Sequence, residues 1–101
     1  MATLTRDQVK NVVTESLEKI ADLPDDIETA PLTNMVPFQQ QVFLSALKSI
    51  LNALPFFMDD GTTSDAAFYD VDLTPDSINL WATGGDCINW ITANQKVVFK
   101  N

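Results

Sequence analysis

Few side chains in this 101-residue sequence are suited to catalysis. It contains one cysteine, Cys87, and no histidine, the residue that most often acts as a general base near neutral pH. A thiol near a helix start can be a nucleophile. With no histidine as base and with Ile88 beside it, we predict instead that Cys87 is a buried core thiol. A single cysteine also excludes an internal disulfide and a thiolate zinc cluster.

Acidic side chains are the other candidates, and five of them follow one another closely: Asp59, Asp60, Asp65, Asp70 and Asp72. Calcium needs several oxygen ligands at a fixed register, and the EF-hand spacing is absent here. Acid–base catalysis needs two carboxyl groups in a shaped pocket, which nothing in the sequence marks. We therefore interpret these residues as a solvated loop. We predict no metal site, no catalytic residue and no enzyme activity.

The charge balance narrows the choice of partner. The chain carries 14 acidic and 6 basic residues, for a net charge of −8. Nucleic acid is excluded as a partner because phosphate contacts need clustered lysine and arginine. A basic protein surface is the expected partner, since complementary charge steers association; the alternative is that acidity only maintains solubility. No signal sequence and no run of about 18 apolar residues is present, which predicts a cytoplasmic protein without membrane contact.

The secondary-structure elements that position these side chains are predicted to be helices. Thr5 and Gln8 form a capping box before a stripe of apolar residues at helical spacing, Val9, Val12, Val13, Leu17 and Ile20. That helix should end near Leu23, because Pro24 disfavours helix in the residue before it. A loop over 24–36 should be tied to the core by Ile27 and Leu32.

Three further helices are predicted. Pro37 suits the first turn of the second, most hydrophobic helix, which Pro55 stops. Residues 66–73 form a short helical or irregular segment. Thr74-Pro75-Asp76-Ser77 begins a short third helix, and Thr83 caps the last one. Residues 97–99 fold back onto the bundle. The predicted fold is one all-α domain over residues 1–101, a small four-helix bundle.

This order of elements resembles the acyl carrier protein family. The similarity is clearest over Leu80-Trp81-Ala82-Thr83-Gly84-Gly85-Asp86-Cys87-Ile88-Asn89-Trp90-Ile91, with a threonine-started turn, an aspartate, an apolar pair and an aromatic-isoleucine end. Segments 30–35 and 42–51 resemble the approach to the family's second helix and that helix itself. The resemblance implies a carrier-like bundle related to fatty acid or polyketide biosynthesis, with a biosynthetic enzyme as partner.

The sequence departs from the family where the phosphopantetheine arm attaches. Carrier proteins have an Asp-Ser-Leu motif at the start of the second helix, and here Phe38 occupies the serine position, or Gln39 after a shift of one residue. Neither side chain has a hydroxyl. Asp76-Ser77-Ile78 is similar to this motif, but it lies just before the third helix and not at the start of the second. Ser77 is the remaining candidate for phosphopantetheine; the alternative is that it satisfies backbone groups in a first turn.

These observations leave three alternative hypotheses for the function. The first is a carrier-like domain that binds proteins without carrying an acyl group, through Gln39, Gln40 and Phe43 on the second helix, with no cofactor. Phe43 is also a candidate for the core, where phenylalanine is usually found. The second is an acyl or peptidyl carrier whose phosphopantetheine is attached at an atypically placed serine, Ser77 first. The third is an unrelated small helical accessory subunit.

Overall fold

The computed structural model describes residues 3–20, 26–33 and 35–100. Three α-helices lie in this part of the chain, α1 (Arg6–Glu18), α2 (Pro37–Ala53) and α3 (Gly84–Asn94), with two 3₁₀ helices, η1 (Ile27–Thr29) and η2 (Pro75–Leu80). The same part of the chain contains four short strands: β1 (Phe56–Phe57), β2 (Thr63–Ser64), β3 (Ala67–Asp70) and β4 (Lys96–Phe99).

The strands overturn the prediction of an all-α four-helix bundle. β1 pairs with β2 and β3 pairs with β4, both antiparallel, so the domain is mixed α and β. Segment 66–73, predicted to be helical or irregular, contains β3, and the segment 97–99 lies in β4. The physical reason is an alternation of period two: Ala67 and Tyr69 are buried while Phe68 and Asp70 are half-buried. The predicted third α-helix is instead the 3₁₀ helix η2.

The predicted starts of the α-helices are confirmed. Thr5 and Gln8 form the capping box of α1, Pro37 is the first residue of α2, and the Thr83 side chain accepts a hydrogen bond from the Asp86 N–H. α1 ends at Glu18, earlier than expected, because the N–H groups of the next two residues bond to carbonyls three residues back. Leu23 and Pro24, the predicted end of this helix, lie outside the described residues.

The core lies where the three α-helices meet β3. Each element supplies side chains that are almost fully buried: Val9, Val13, Phe43, Leu47, Leu51, Tyr69, Ile88 and Ile91. Ile27 and Leu32, the predicted loop anchors, are buried as well. The loop is also held by backbone bonds, from the Leu32 N–H to the Ala82 carbonyl and from the Gly84 N–H to the Ala30 carbonyl, each 2.9 Å. These bonds place the loop beside the start of α3.

In the described residues, none of the helices combines the length and the apolar character that crossing a bilayer requires.

Candidate protein-binding surface

Phe43 lies in the core and is not a surface contact. Its side chain is 0% exposed, and its ring meets that of Trp81 edge-on at a centroid distance of 6.3 Å. The reason is helical spacing: Phe43, Leu47 and Leu51 follow at intervals of four and share the buried face of α2. The prediction that Phe43 contacts a partner is therefore wrong, and the alternative that it packs in the core is confirmed.

Gln39 and Gln40 are half-buried and secure the entry into α2. The Gln39 side-chain carbonyl accepts a hydrogen bond from the Val36 N–H at 3.0 Å, which satisfies a free donor at the helix start. The Gln40 amide donates to the Met35 carbonyl at 3.3 Å. Both side chains therefore have structural roles, and their contact with a partner stays a prediction.

Ser77 does not offer a free hydroxyl. Its side chain is buried, at 6% exposure, and its Oγ accepts a hydrogen bond from the Thr74 N–H at 3.0 Å. This is the arrangement expected of a first-turn residue that satisfies the backbone. Modification of Ser77 would require the start of η2 to open.

Cys87 is a core thiol, as predicted. It is 0% exposed, and burial raises the pKa of its thiol above the ordinary value because the charged thiolate is poorly solvated in an apolar interior. Such a thiol is unsuited to nucleophilic chemistry. The structure's described portion also holds no group of three or more potential metal-ligating side chains.

Phe38 is a surface residue that the sequence-based prediction of contacts missed. Its side chain is 74% exposed, the highest value among the large hydrophobic residues of the described chain. Phe38 precedes Leu47 by nine residues, about two and a half helical turns, so the two side chains lie on opposite sides of α2. The helical spacing could therefore have identified Phe38 as exposed once Leu47 was assigned to the core.

A groove runs along α2 from Gln41 to Ser49. We call it the α2 groove; its volume is about 660 Å³ and its apolar lining comes from Leu44, Leu73 and Pro75. Gln41 and Ser45 line it too, and they follow Phe38 at spacings of three and seven residues, on the same helix face. Phe38 itself does not line the groove, but it precedes the lining residue Gln41 by one helical turn.

The groove has charged residues at its margins. Lys48 lines it, but its Nζ is 2.7 Å from Asp70 Oδ1 and donates to the Val71 carbonyl. Partial burial raises the pKa of Asp70, but hydrogen bonds from Lys48 and Asn52 outweigh this effect and hold that pKa below its ordinary value. On the opposite wall, Asp72 and Asp76 flank the segment 73–75, and both are exposed.

A second cavity, which we call the Asp86 cavity, lies between the loop residues 32–33, α2, the end of η2 and the start of α3. It has a volume of about 300 Å³, and polar groups line it: Thr33, Gln40, Asn79 and Asp86. Leu80, 62% exposed, stands at its edge. Trp81 also lines it, and the buried Nε1 of Trp81 has no hydrogen-bond partner among the described residues. No sequence pattern pointed to this cavity, because its residues come from four elements: the loop, α2, η2 and α3.

Comparison with known proteins adds no relative. No family model matches the chain, and neither the curated proteins nor the solved structures contain a significant match. The resemblance to acyl carrier proteins therefore stays a prediction, while the four-helix fold that it implied is corrected above.

Proposed function

We propose that this domain is a non-catalytic protein-interaction module that binds a basic, amphipathic segment of a partner protein along the α2 groove. The observation that carries the proposal is the exposure of Phe38, 74%, on the helix face that also contributes to a groove with Leu44, Leu73 and Pro75 in its lining. The proposed role is the one expected from the sequence. The aromatic residue proposed to contact the partner is now Phe38 and no longer Phe43. We also propose that the protein acts in the cytoplasm, as the sequence analysis predicts.

Phe38 is the side chain that would supply most of the binding free energy. Burying a phenylalanine side chain contributes about 1.5–3 kcal/mol relative to leaving it in water. In the domain alone this stabilisation is not gained, because the Phe38 ring is exposed to solvent. Aromatic residues concentrate binding energy at protein interfaces when they are enclosed by a partner. A partner segment that places a side chain between Leu44 and Leu73 and continues along this face of α2 would also reach Phe38, one helical turn before Gln41.

The charge of the domain favours a basic partner. Within the described residues, four of the six basic side chains form ion pairs with carboxylates: Arg6 and Lys10 with Glu28, Lys48 with Asp70, and Lys96 with Asp72. Every acidic residue of this part of the chain except the half-buried Glu28 and Asp70 is exposed to solvent. Beside the groove, Asp76 forms no ion pair within the described chain, so lysine or arginine flanking an apolar residue of the partner would meet complementary charge.

The test uses two synthetic helical peptides with the same leucine stripe, one carrying lysines and the other glutamates on its polar face. Amide chemical shifts of the 101-residue chain are recorded during titration with each peptide. We expect the lysine peptide to shift Gln41, Ser45 and Leu73, and the glutamate peptide to leave them unchanged. Shifts spread evenly over the acidic surface would contradict the proposal.

Substitution of Phe38 makes the test specific. We expect Phe38→Ala to weaken binding of the lysine peptide about tenfold, since about 1.4 kcal/mol of apolar burial is lost. Phe99→Ala is the matched control, because Phe99 is also an exposed aromatic residue, at 59%, but lies on β4. Equal weakening by both substitutions would show that any exposed ring on this acidic protein captures the peptide.

A further inference from the structure

The Asp86 cavity combines one carboxylate with several uncharged hydrogen-bond acceptors. Asp86 Oδ2 accepts the Ala82 N–H at 3.2 Å, while Oδ1 has no partner among the described residues. The Gln40 amide nitrogen is directed to the Met35 carbonyl, so the side-chain oxygen of Gln40 remains available. Asn79 and Thr33 add an amide oxygen and a hydroxyl. In the described structure none of the lysine or arginine side chains lines the cavity, so these acceptors have no cationic donor.

Apolar surface completes the site. Ile78 and Trp81, 4% and 2% exposed, form the inner wall, and Leu80 stands exposed at the edge. A long basic side chain could lay its methylene groups against Leu80 while its charged end reaches Asp86. Among basic groups, guanidinium fits better than ammonium, because its five N–H donors in a planar fork match a carboxylate and several neighbouring acceptors.

We propose that the Asp86 cavity binds the guanidinium group of an arginine side chain presented by the partner protein. This inference rests on the proposed function for the source of the arginine and extends it to a second contact point. The two sites are within reach of one segment, because η2 runs from Pro75 in the groove to Leu80 at the cavity. At a rise of about 2 Å per residue, that distance is about 10 Å.

The test titrates the full chain with arginine blocked at both ends, as the N-acetyl amide, and with the equally blocked citrulline, which has the same shape without the charge. We expect saturable amide shifts at Asn79, Leu80 and Asp86 with blocked arginine alone. Asp86→Asn, which keeps the oxygen that accepts the Ala82 N–H, should weaken binding about tenfold because a charged hydrogen-bond acceptor is lost. Equal shifts with citrulline would overturn the proposal.

Two controls distinguish binding in the cavity from general charge attraction and from recognition of a free amino acid. Asp7→Asn removes the same charge from the first turn of another helix, α1, at an exposed position outside the cavity, and should change the affinity by less than about twofold, as for an exposed charge. Equal weakening by Asp7→Asn and Asp86→Asn would show a general charge effect and overturn the proposal. Tighter binding of free than of blocked arginine would also overturn it, by identifying an amino-acid site.

Phe38 distinguishes the two proposals. Phe38→Ala should leave the affinity for blocked arginine unchanged, because Phe38 does not line the Asp86 cavity. Arginine binding that is lost only in Asp86→Asn thus supports this inference even if the α2 groove fails to bind the lysine peptide. Loss of arginine binding in Phe38→Ala would overturn it.

Discussion

Glu28 connects two segments that are distant in the sequence. Its carboxylate accepts hydrogen bonds from Arg6 of α1 at 2.6 Å and from Lys10 at 3.3 Å. Arg6 also donates from Nε to Asn89 of α3 at 2.7 Å, so one guanidinium joins α1, η1 and α3. The hydrogen bond from Arg6, followed by that from Lys10, lowers the pKa of Glu28 to about 2. The loop that carries Thr33 toward the Asp86 cavity is thereby held to the helices.

This pKa predicts how stability depends on pH. The folded pKa of Glu28 lies below the unfolded value of about 4.3, so its contribution is complete above about pH 5 and is lost as the pH falls toward about 2. We expect Glu28→Gln to be less stable than the original chain near neutral pH, and the difference to shrink in acid. Urea unfolding at a series of pH values measures this difference. A difference that stays constant with pH would show that the ionised carboxylate contributes nothing specific.

At the scale of elements, α3 depends on close packing against η1. Gly84 and Gly85 begin α3 and are both buried. A Cβ atom at Gly84 would overlap the carbonyl oxygen of Ile27, and one at Gly85 would lie 2.9 Å from that of Glu28. The two glycines therefore let the start of α3 approach the backbone of η1, which also positions Asp86.

We expect Gly84→Ala to lower the free energy of unfolding by about 1–3 kcal/mol, because the methyl group forces the two backbones apart. Gly85→Ala should lower the free energy of unfolding by less, since the closest contact of the added Cβ is longer than at Gly84. Asn11→Ala, at an exposed position of α1, serves as the control for an added alanine in a helix. Urea unfolding followed by circular dichroism measures all three. A neutral Gly84→Ala would mean that η1 and α3 do not touch as described.

At the scale of the whole molecule, the two ends of the described chain are held together by one side chain. The Gln95 amide accepts a hydrogen bond from the Leu4 N–H at 2.7 Å and donates to the Leu4 carbonyl at 2.8 Å, across 91 positions of sequence. Directly after Gln95, β4 pairs with β3, with Tyr69 opposite Val97. The Tyr69 hydroxyl in turn accepts the Phe57 N–H at 3.0 Å, which connects the two sheets.

We expect Gln95→Ala to destabilise the domain by about 1–3 kcal/mol, because two backbone groups of the buried Leu4 lose their partners. The matched control is Asn94→Ala, whose amide donates only locally, to the Trp90 carbonyl at 2.8 Å. Hydrogen exchange should show faster exchange of the Leu4 amide in the first variant alone. Equal stability of the two variants would contradict this role of Gln95.

The sequence by itself determined the features that depend on neighbouring residues. The capping box of Thr5, the proline that begins α2 and the cap at Thr83 act within one helical turn, and the buried stripe of α1 follows from spacing alone. The loop anchors Ile27 and Leu32 could also be predicted, because large apolar side chains in an otherwise polar loop are expected to be buried in the core.

Only the tertiary structure decided the strand pairing and the sites. β3 and β4 are four residues each and gain their hydrogen bonds from a partner about thirty positions away, so no local signal establishes the ladder. The exposure of Phe38 was not predicted, because the choice of core face on α2 is made by the elements packed against it. The Asp86 cavity exists only where the loop, α2, η2 and α3 meet, and convergence of distant segments leaves no pattern in a single sequence.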